Sequence, residues 1–308
     1  MTDAEDYPHV SVVIATRDRP ELLRRALAGV LHPDYPGVVD ATVVFDQSEP
    51  DHAIEQSDPL RRVRVMRNER TPGLAGARNT GILGASGQLV AFCDDDDEWL
   101  PGKLRHQVDA LQTHSDAHVA TTGITIRYRD TDTDRVPDPQ RLTHAGFLAD
   151  RMTEVHPSSL LAERAWLLEE VGLVDEDLPG SYAEDYDLLL RVSERGPIAV
   201  TPRPLVRIWW HGASFFFERW KTIDEALTYL LAKHPGFAAS ARGTARILGQ
   251  QAVARAAMND RRQALRTALA ALRRNPLEKR AYLAAVVAGT PLTAERALAV
   301  AHRFGKGI

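Results

Sequence analysis

HVSVVIATRDRPELLRRALAGVL, His9 to Leu31, is the stretch that decides the fold. Its first eight residues form a continuous apolar run rich in β-branched side chains, as in a strand covered on both faces. Leu22, Leu23, Ala26, Leu27, Val30 and Leu31 then recur at helical spacing, and Pro20 suits a first helical turn. The order is strand, polar loop, helix, and it repeats. ATVVF (Ala41 to Phe45) and VRVMR (Val63 to Arg67) read as strands, LAGARNTGILGA as a helix, QLVAFC (Gln88 to Cys93) as another buried strand and PGKLRHQVDALQTH as an amphipathic helix. Strands alternating with helices predict an α/β fold with a mostly parallel central sheet flanked by helices. Further on, RYRDTDTDRVPDPQ reads as an exposed hairpin or loop, EDYDLLLRVSERG as a helix and IAVTPRPLVRIWW as two short strands.

From Phe215 the composition shifts to Ala, Leu and Arg with helical periodicity. QQAVARAAMNDRRQALRTALAALRRNP predicts two helices around a turn at Asn259 and Asp260. The expected organisation is an α/β domain over 1–214 and an all-helical C-terminal region over 215–308. That tail can serve substrate binding, homo-oligomer formation or a membrane surface, and an ordinary solvated charged face accounts for its arginines equally well.

Hydrophobic residues at 44% and charged residues at 26% fit a globular chain and exclude disordered or fibrous classes. The net charge of -4 argues against a dedicated nucleic-acid binder. Cys93 is the only cysteine, which excludes an intramolecular disulfide and any CxxC site and makes a reducing cytoplasm the expected location. MTDAEDYPHV lacks the features of a signal peptide, and no apolar run reaches the roughly 18 residues of a spanning helix. Any membrane contact is therefore expected to be peripheral.

Open α/β sheets bind ligands beyond the carboxyl ends of their strands, where this chain places TRDRP, DQSEP and DDDDEW. Carboxylates about 4 Å apart repel by roughly 4 kcal/mol at an effective dielectric of ~20, so the aspartate run needs a positive partner. Strand alternation would turn Asp94 and Asp96 to one side and Asp95 to the other. Oxygen ligands of this kind suit Mg2+ or Mn2+. An acidic start to the helix near Pro101, with Asp97 and Glu98 leading into it, explains the run as well. GLAGARNTGILGASGQ has neither GxGxxG nor a P-loop, so its small residues serve close packing, while Arg78 suits a phosphate or a salt bridge. Asp46 suits a ribose, a base or an Asx turn. Glu184 and Asp185 suit a general base or a helix N-terminus, and His211 a metal ligand or a packing role.

Taken in order, VIATRDRPELL, FDQS, GLAGARNTGILGASGQLVAFCDDDDEWLPGKL, AEDYDLLLR and RIWWHGAS resemble the inverting family 2 glycosyltransferases of the glycosyltransferase A fold, over about His9 to Ser214. The resemblance implies hexosyl transfer from a nucleotide-sugar donor, with UDP-hexose favoured, a divalent cation (Mn2+ or Mg2+), and inversion at the anomeric carbon. The acceptor would be a glycan, a lipid-linked sugar or a small molecule. It implies that Ala15, Thr16, Arg17 and Asp46 hold the nucleoside and that Arg78 lies near the diphosphate. Asp94 and Asp95 would face ribose and sugar. Asp96 would be the principal metal ligand, with Asp94 and His211 beside it, and Asp185 the base assisted by Glu184. A nucleotidyltransferase is a second reading, though TRDRP lacks the glycines such a loop uses. A non-catalytic sugar-nucleotide-binding scaffold is a third.

Overall fold

The computed structural model describes residues 7–32, 34–210 and 219–290. These fall into two compact units, one from 7–144, 152–176 and 184–210, the other from 145–151, 177–183 and 219–290.

The first unit is a mixed α/β sheet. Its strands are β1 (Val10–Thr16), β2 (Val39–Phe45), β3 (Gln56–Ser57), β4 (Arg61–Arg67), β5 (Leu89–Phe92), β6 (Glu98–Trp99), β7 (Val119–Tyr128), β8 (Thr131–Arg135), β9 (Leu160–Glu163) and β10 (Ile198–Trp209). They lie in the order β3-β4-β2-β1-β5-β9-β7-β10-β6, with β8 hairpinned onto β7. β4, β2, β1 and β5 are mutually parallel. Helices α1 (Pro20–Val30), α2 (Leu74–Gly84), α3 (Lys103–Thr113), the short α5 (Arg164–Trp166) and α6 (Glu184–Arg195) belong to this unit, and α4 (His144–Ala149) starts from it.

Burial follows position in the sheet. Every residue of β2 is buried, as expected for a strand covered on both faces, whereas β4 alternates buried valines with exposed arginines near the sheet edge. Glycine brings α2 close to β1: a Cβ on Gly81 would collide with the Val13 side chain. The small-residue helix is therefore a packing device, and it sets how far Arg78 stands from the aspartates.

Three elements differ from the sequence reading. IAVTPRPLVRIWW is one strand and not two; its register against β7 shifts around Pro204, where a missing N–H breaks the ladder without ending the strand. β9 runs antiparallel between β5 and β7, and LLAE is too short to announce a central strand by periodicity. Glu98 belongs to β6, paired with β10, and α3 begins at Lys103 after Gly102 at φ 86, so the end of the acidic run does not lead into that helix.

The second unit contains α7 (Trp220–Lys233), α8 (Ala241–Ala257), α9 (Arg261–Arg274) and α10 (Lys279–Gly289). Ala252, Ala268, Ala271, Ala281 and Ala284 are buried between helices that their small side chains allow to approach closely. The expected turn is present: Asn259 sits at φ 62 and Asp260 caps α9 by accepting from Gln263 N at 3.1 Å. Arg255 on α8 reaches both carboxylate oxygens of Asp224 on α7 at 3.0 Å. Among the described residues no helix is long and apolar enough to cross a membrane.

Candidate active site

β2, β1 and β5 are consecutive in the sheet and parallel, so the loops after Phe45, Thr16 and Phe92 open side by side at one edge. β5 stops at Phe92, with Cys93 N still donating to Val13 O at 3.1 Å. Asp94 to Asp97 then form a turn closed by Asp97 N donating to Asp94 O at 3.1 Å. Strand alternation ends before the first carboxylate, so the expected sorting of Asp94 and Asp96 against Asp95 does not hold. The carboxylates are sorted by their partners instead, with Asp95 and Asp96 sharing Arg19.

Arg78 of α2 donates to Asp94 Oδ1 at 2.7 Å and to Glu184 Oε1 at the start of α6. Burial alone would lower the pKa of this guanidinium, but Asp94 and Glu184 outweigh it and hold the group above its ordinary value. Asp95 accepts from Thr16 Oγ1 at 2.8 Å and from Arg19 at 3.2 Å. Burial still pushes its carboxyl up to about 6, against the Thr16 hydrogen bond and Arg19 and with help from Asp96 and Asp94. Asp96 accepts from Arg19 at 3.0 Å, and its backbone carbonyl accepts from Arg25 at 3.0 Å. Asp97 accepts from the fully buried Ser158 hydroxyl at 2.5 Å and lies 3.4 Å from His156 Nδ1. Burial, then Asp94 and Asp96, raise its pKa well above the carboxylate range. Burial likewise lowers the pKa of His156, which favours the neutral, ligating imidazole.

One ligand atom each from Asp94, Asp97 and His156 can lie within 4.8 Å of the others. Two carboxylates and an imidazole make a hard donor set of the kind that holds Mn2+ or Mg2+. The raised carboxyl of Asp97 fits such a group, because a nearby cation favours its ionised form. Asp185 is near enough for its charge to act on both Arg78 and His156.

A cavity of about 180 Å³ lies beside the run, lined among others by Thr16, Arg19, Leu23, Phe45, Ser48 and Ile54. Leu23, Phe45 and Ile54 give it an apolar part, and the buried Ser48 hydroxyl finds no partner among the described residues. Asp46 is occupied by the protein itself: it accepts from Gln47 at 2.8 Å, Asn68 at 2.7 Å and Gly73 N at 3.0 Å, tying β2 to the loop that opens α2.

The structure thus gathers Thr16, Arg78, Asp94, Asp95, Asp96, Glu184 and Asp185, with Ala15 half-buried one residue before the cluster. Asp46 stands at the adjacent strand end. Arg17 is half exposed, with its nearest carboxylate, Asp18, at 4.0 Å. His211 lies outside the described residues. Sequence reasoning missed Arg19, Asp97, His156 and Ser158 as members of the cluster. Arg19 was visible in TRDRP, but nothing about VHPSS, some sixty residues after the aspartates, marks His156 and Ser158 as their neighbours.

The Glycosyl transferase family 2 profile matches residues 11–166. Among curated proteins, the chain is 27% identical over 197 residues to the uncharacterized glycosyltransferase YwdF of Bacillus subtilis, covering 60% of this chain and 68% of that one. It is 32% identical over 111 residues to the Escherichia coli UDP-Glc:alpha-D-GlcNAc-diphosphoundecaprenol beta-1,3-glucosyltransferase WfgD, covering 35% of this chain and 42% of that one. Among solved structures, the mannosyltransferase PcManGT from Pyrobaculum calidifontis, in complex with GDP-Man and Mn2+, superposes with a TM-score of 0.56 at 17% identity, covering 98% of this chain and 82% of that one. At that identity the likeness is one of fold.

Proposed function

The chain belongs to glycosyl transferase family 2, and from that premise we propose that it moves a hexose from a nucleotide-diphosphate sugar, UDP-linked by preference, to an acceptor hydroxyl with inversion at the anomeric carbon. The observation that carries the reading is the meeting of Asp94, Asp97, His156, Arg78 and Asp185 at the carboxyl edge of the sheet, with a cavity reached through Thr16 and Arg19, the partners of Asp95. UDP is favoured because it is the nucleotide in the name of WfgD, and the GDP-Man complex of PcManGT makes GDP the competitor to test.

Displacement at an anomeric carbon needs negative charge stabilised on the departing diphosphate and a base on the opposite face of the sugar. A divalent cation at the aspartate turn supplies Lewis-acid stabilisation of that charge. Asp94, Asp97 and His156 are the ligands favoured by convergence; Asp96, which bonds to Arg19, and His211 are the further ligands implied by the family resemblance. Thr16, Asp95 and the cavity lining receive the nucleoside, and Ala15, Arg17 and Asp46 are the further nucleoside residues implied by the family resemblance. Asp185 takes the proton of the acceptor hydroxyl. Arg78 holds Asp94 and Glu184 in place and keeps positive charge under the turn.

A calorimetric panel of UDP-, GDP- and dTDP-sugars with and without Mn2+ tests the donor and the metal together. A metal-dependent signal with one nucleotide identifies the donor class; binding undiminished in excess chelator refutes the metal. Asp185→Asn should retain donor binding and lose about 10²- to 10⁴-fold in turnover. Wild-type turnover in that variant would remove Asp185 as the base, and no turnover by the wild-type chain with any donor would favour a binding protein.

A further inference from the structure

We propose that α9 is a docking face for an anionic membrane surface. Residues 219–290 carry thirteen lysines and arginines against four aspartates and glutamates, a net of +9, in a chain whose overall charge is -4. Helix α9, RRQALRTALAALRR, contains five of these arginines and no carboxylate. Arg262, Leu265, Arg266, Leu269 and Arg273 recur at intervals of three and four, so they share one stripe. Leu265 is 46% exposed and Leu269 50%, and the opposite stripe, Ala264, Ala268 and Ala271, is buried. Arg262, Arg266 and Arg273 are exposed and have no hydrogen bond or ion pair among the described residues. Beyond the helix end Leu277 is 82% exposed.

Unpaired arginines interleaved with exposed leucines match a bilayer interface, where guanidinium groups meet lipid phosphates and the leucines enter the acyl boundary. Nucleic acid satisfies the arginines but leaves the leucines in water, and α9 carries no aromatic ring to stack on a base. A second copy pairing through this stripe would set arginine against arginine. The inference rests on the surface of α9 alone and is independent of the transferase reading.

Vesicle flotation of the full chain tests it, using phosphatidylcholine vesicles and equimolar phosphatidylcholine and phosphatidylglycerol vesicles. The chain should float with the anionic vesicles, be released by high salt and stay behind with the neutral ones. Each arginine near a charged bilayer strengthens partition about fivefold, so Arg262→Gln, Arg266→Gln and Arg273→Gln together should weaken it on the order of a hundredfold. Leu265→Ser with Leu269→Ser should weaken it about tenfold, and the control Arg105→Gln, on the first unit, by no more than a single arginine's share. All five positions are exposed, and unchanged melting curves confirm that the variants fold. Equal flotation with both vesicle types, wild-type flotation of the triple arginine variant, or tighter binding to polyuridylate than to anionic vesicles would overturn the proposal. So would a stable dimer in sedimentation that dissociates on Leu265→Ser.

Discussion

Replacing Arg78 by methionine removes a cation that bridges the start of α6 to the aspartate turn. The arginine side chain is 6% exposed and so is that of Glu184, while that of Asp94 is 27% exposed. Removing one partner from a buried ion pair costs about 3–5 kcal/mol, because the carboxylates stay behind in a poorly solvated place. Solvent reaches Asp94, which puts the expected loss near the lower bound, about 3 kcal/mol. For a unit of this size that is a fall of roughly 6–12 °C in the melting temperature. Arg78→Lys should lie between, since a single ammonium cannot fork to two carboxylates as a guanidinium does. Urea denaturation of Arg78→Met, Glu184→Gln and the double variant completes the test. The arginine should cost at least about 1 kcal/mol less to remove once Glu184 is neutral. If Arg78 instead waits for a donor phosphate, Arg78→Met weakens nucleotide binding, leaves the melting temperature within a degree or two of wild type and shows no coupling to Glu184. That result would refute the anchoring role.

Glu176 accepts from Arg70, Asn79 and Thr71 N, which outweigh the effect of burial and hold its carboxyl down at about 2. A folded pKa below the unfolded 4.5 contributes stability above that value that is lost as pH falls toward 2, so Glu176→Gln should be less stable than wild type at pH 7 by about 1–2 kcal/mol after solvent screening, with a flatter pH dependence below pH 5; parallel pH curves would contradict it. Gly81→Ala should cost about 1–3 kcal/mol by forcing α2 off Val13, and Val13→Ala in the same chain should recover much of it in thermal melts, whereas a wild-type melting temperature for Gly81→Ala would remove glycine as the reason the helix sits so close.

The strands that line the donor edge were legible because they are buried on both faces: β1, β2 and β5 read as apolar runs, and their polar loops named the edge. The glycine-rich helix was legible too, as a packing surface, and its arginine as a group for a phosphate or a salt bridge. Legibility failed where contacts are long-range and local pattern is weak. LLAE carries no period long enough to identify the sheet's central antiparallel strand, and His156 and Ser158 owe their places beside Asp97 to the turn that precedes it. Periodicity also misled at the aspartates. A two-residue alternation holds only while the backbone is a strand, and here it ends at Phe92.

The aspartate run demanded a positive partner, and the protein supplies much of one. Arg78 takes Asp94, Arg19 spans Asp95 and Asp96, and Arg25 holds the Asp96 carbonyl from α1. The compensation is uneven. Among the described residues no arginine or lysine forms an ion pair with Asp97, the most deeply buried carboxylate of the four, whose partners are a neutral hydroxyl and an imidazole whose pKa burial lowers. The three arginines are already engaged, Arg78 with Asp94 and Glu184, Arg19 with Asp95 and Asp96, and Arg25 with the Asp96 carbonyl. A carboxylate in that position either carries a proton or faces a positive charge from beyond the described residues. The corner shared by Asp94, Asp97 and His156 is therefore where the described residues leave negative charge uncompensated, and a divalent ion would answer both the charge and the donor atoms found there.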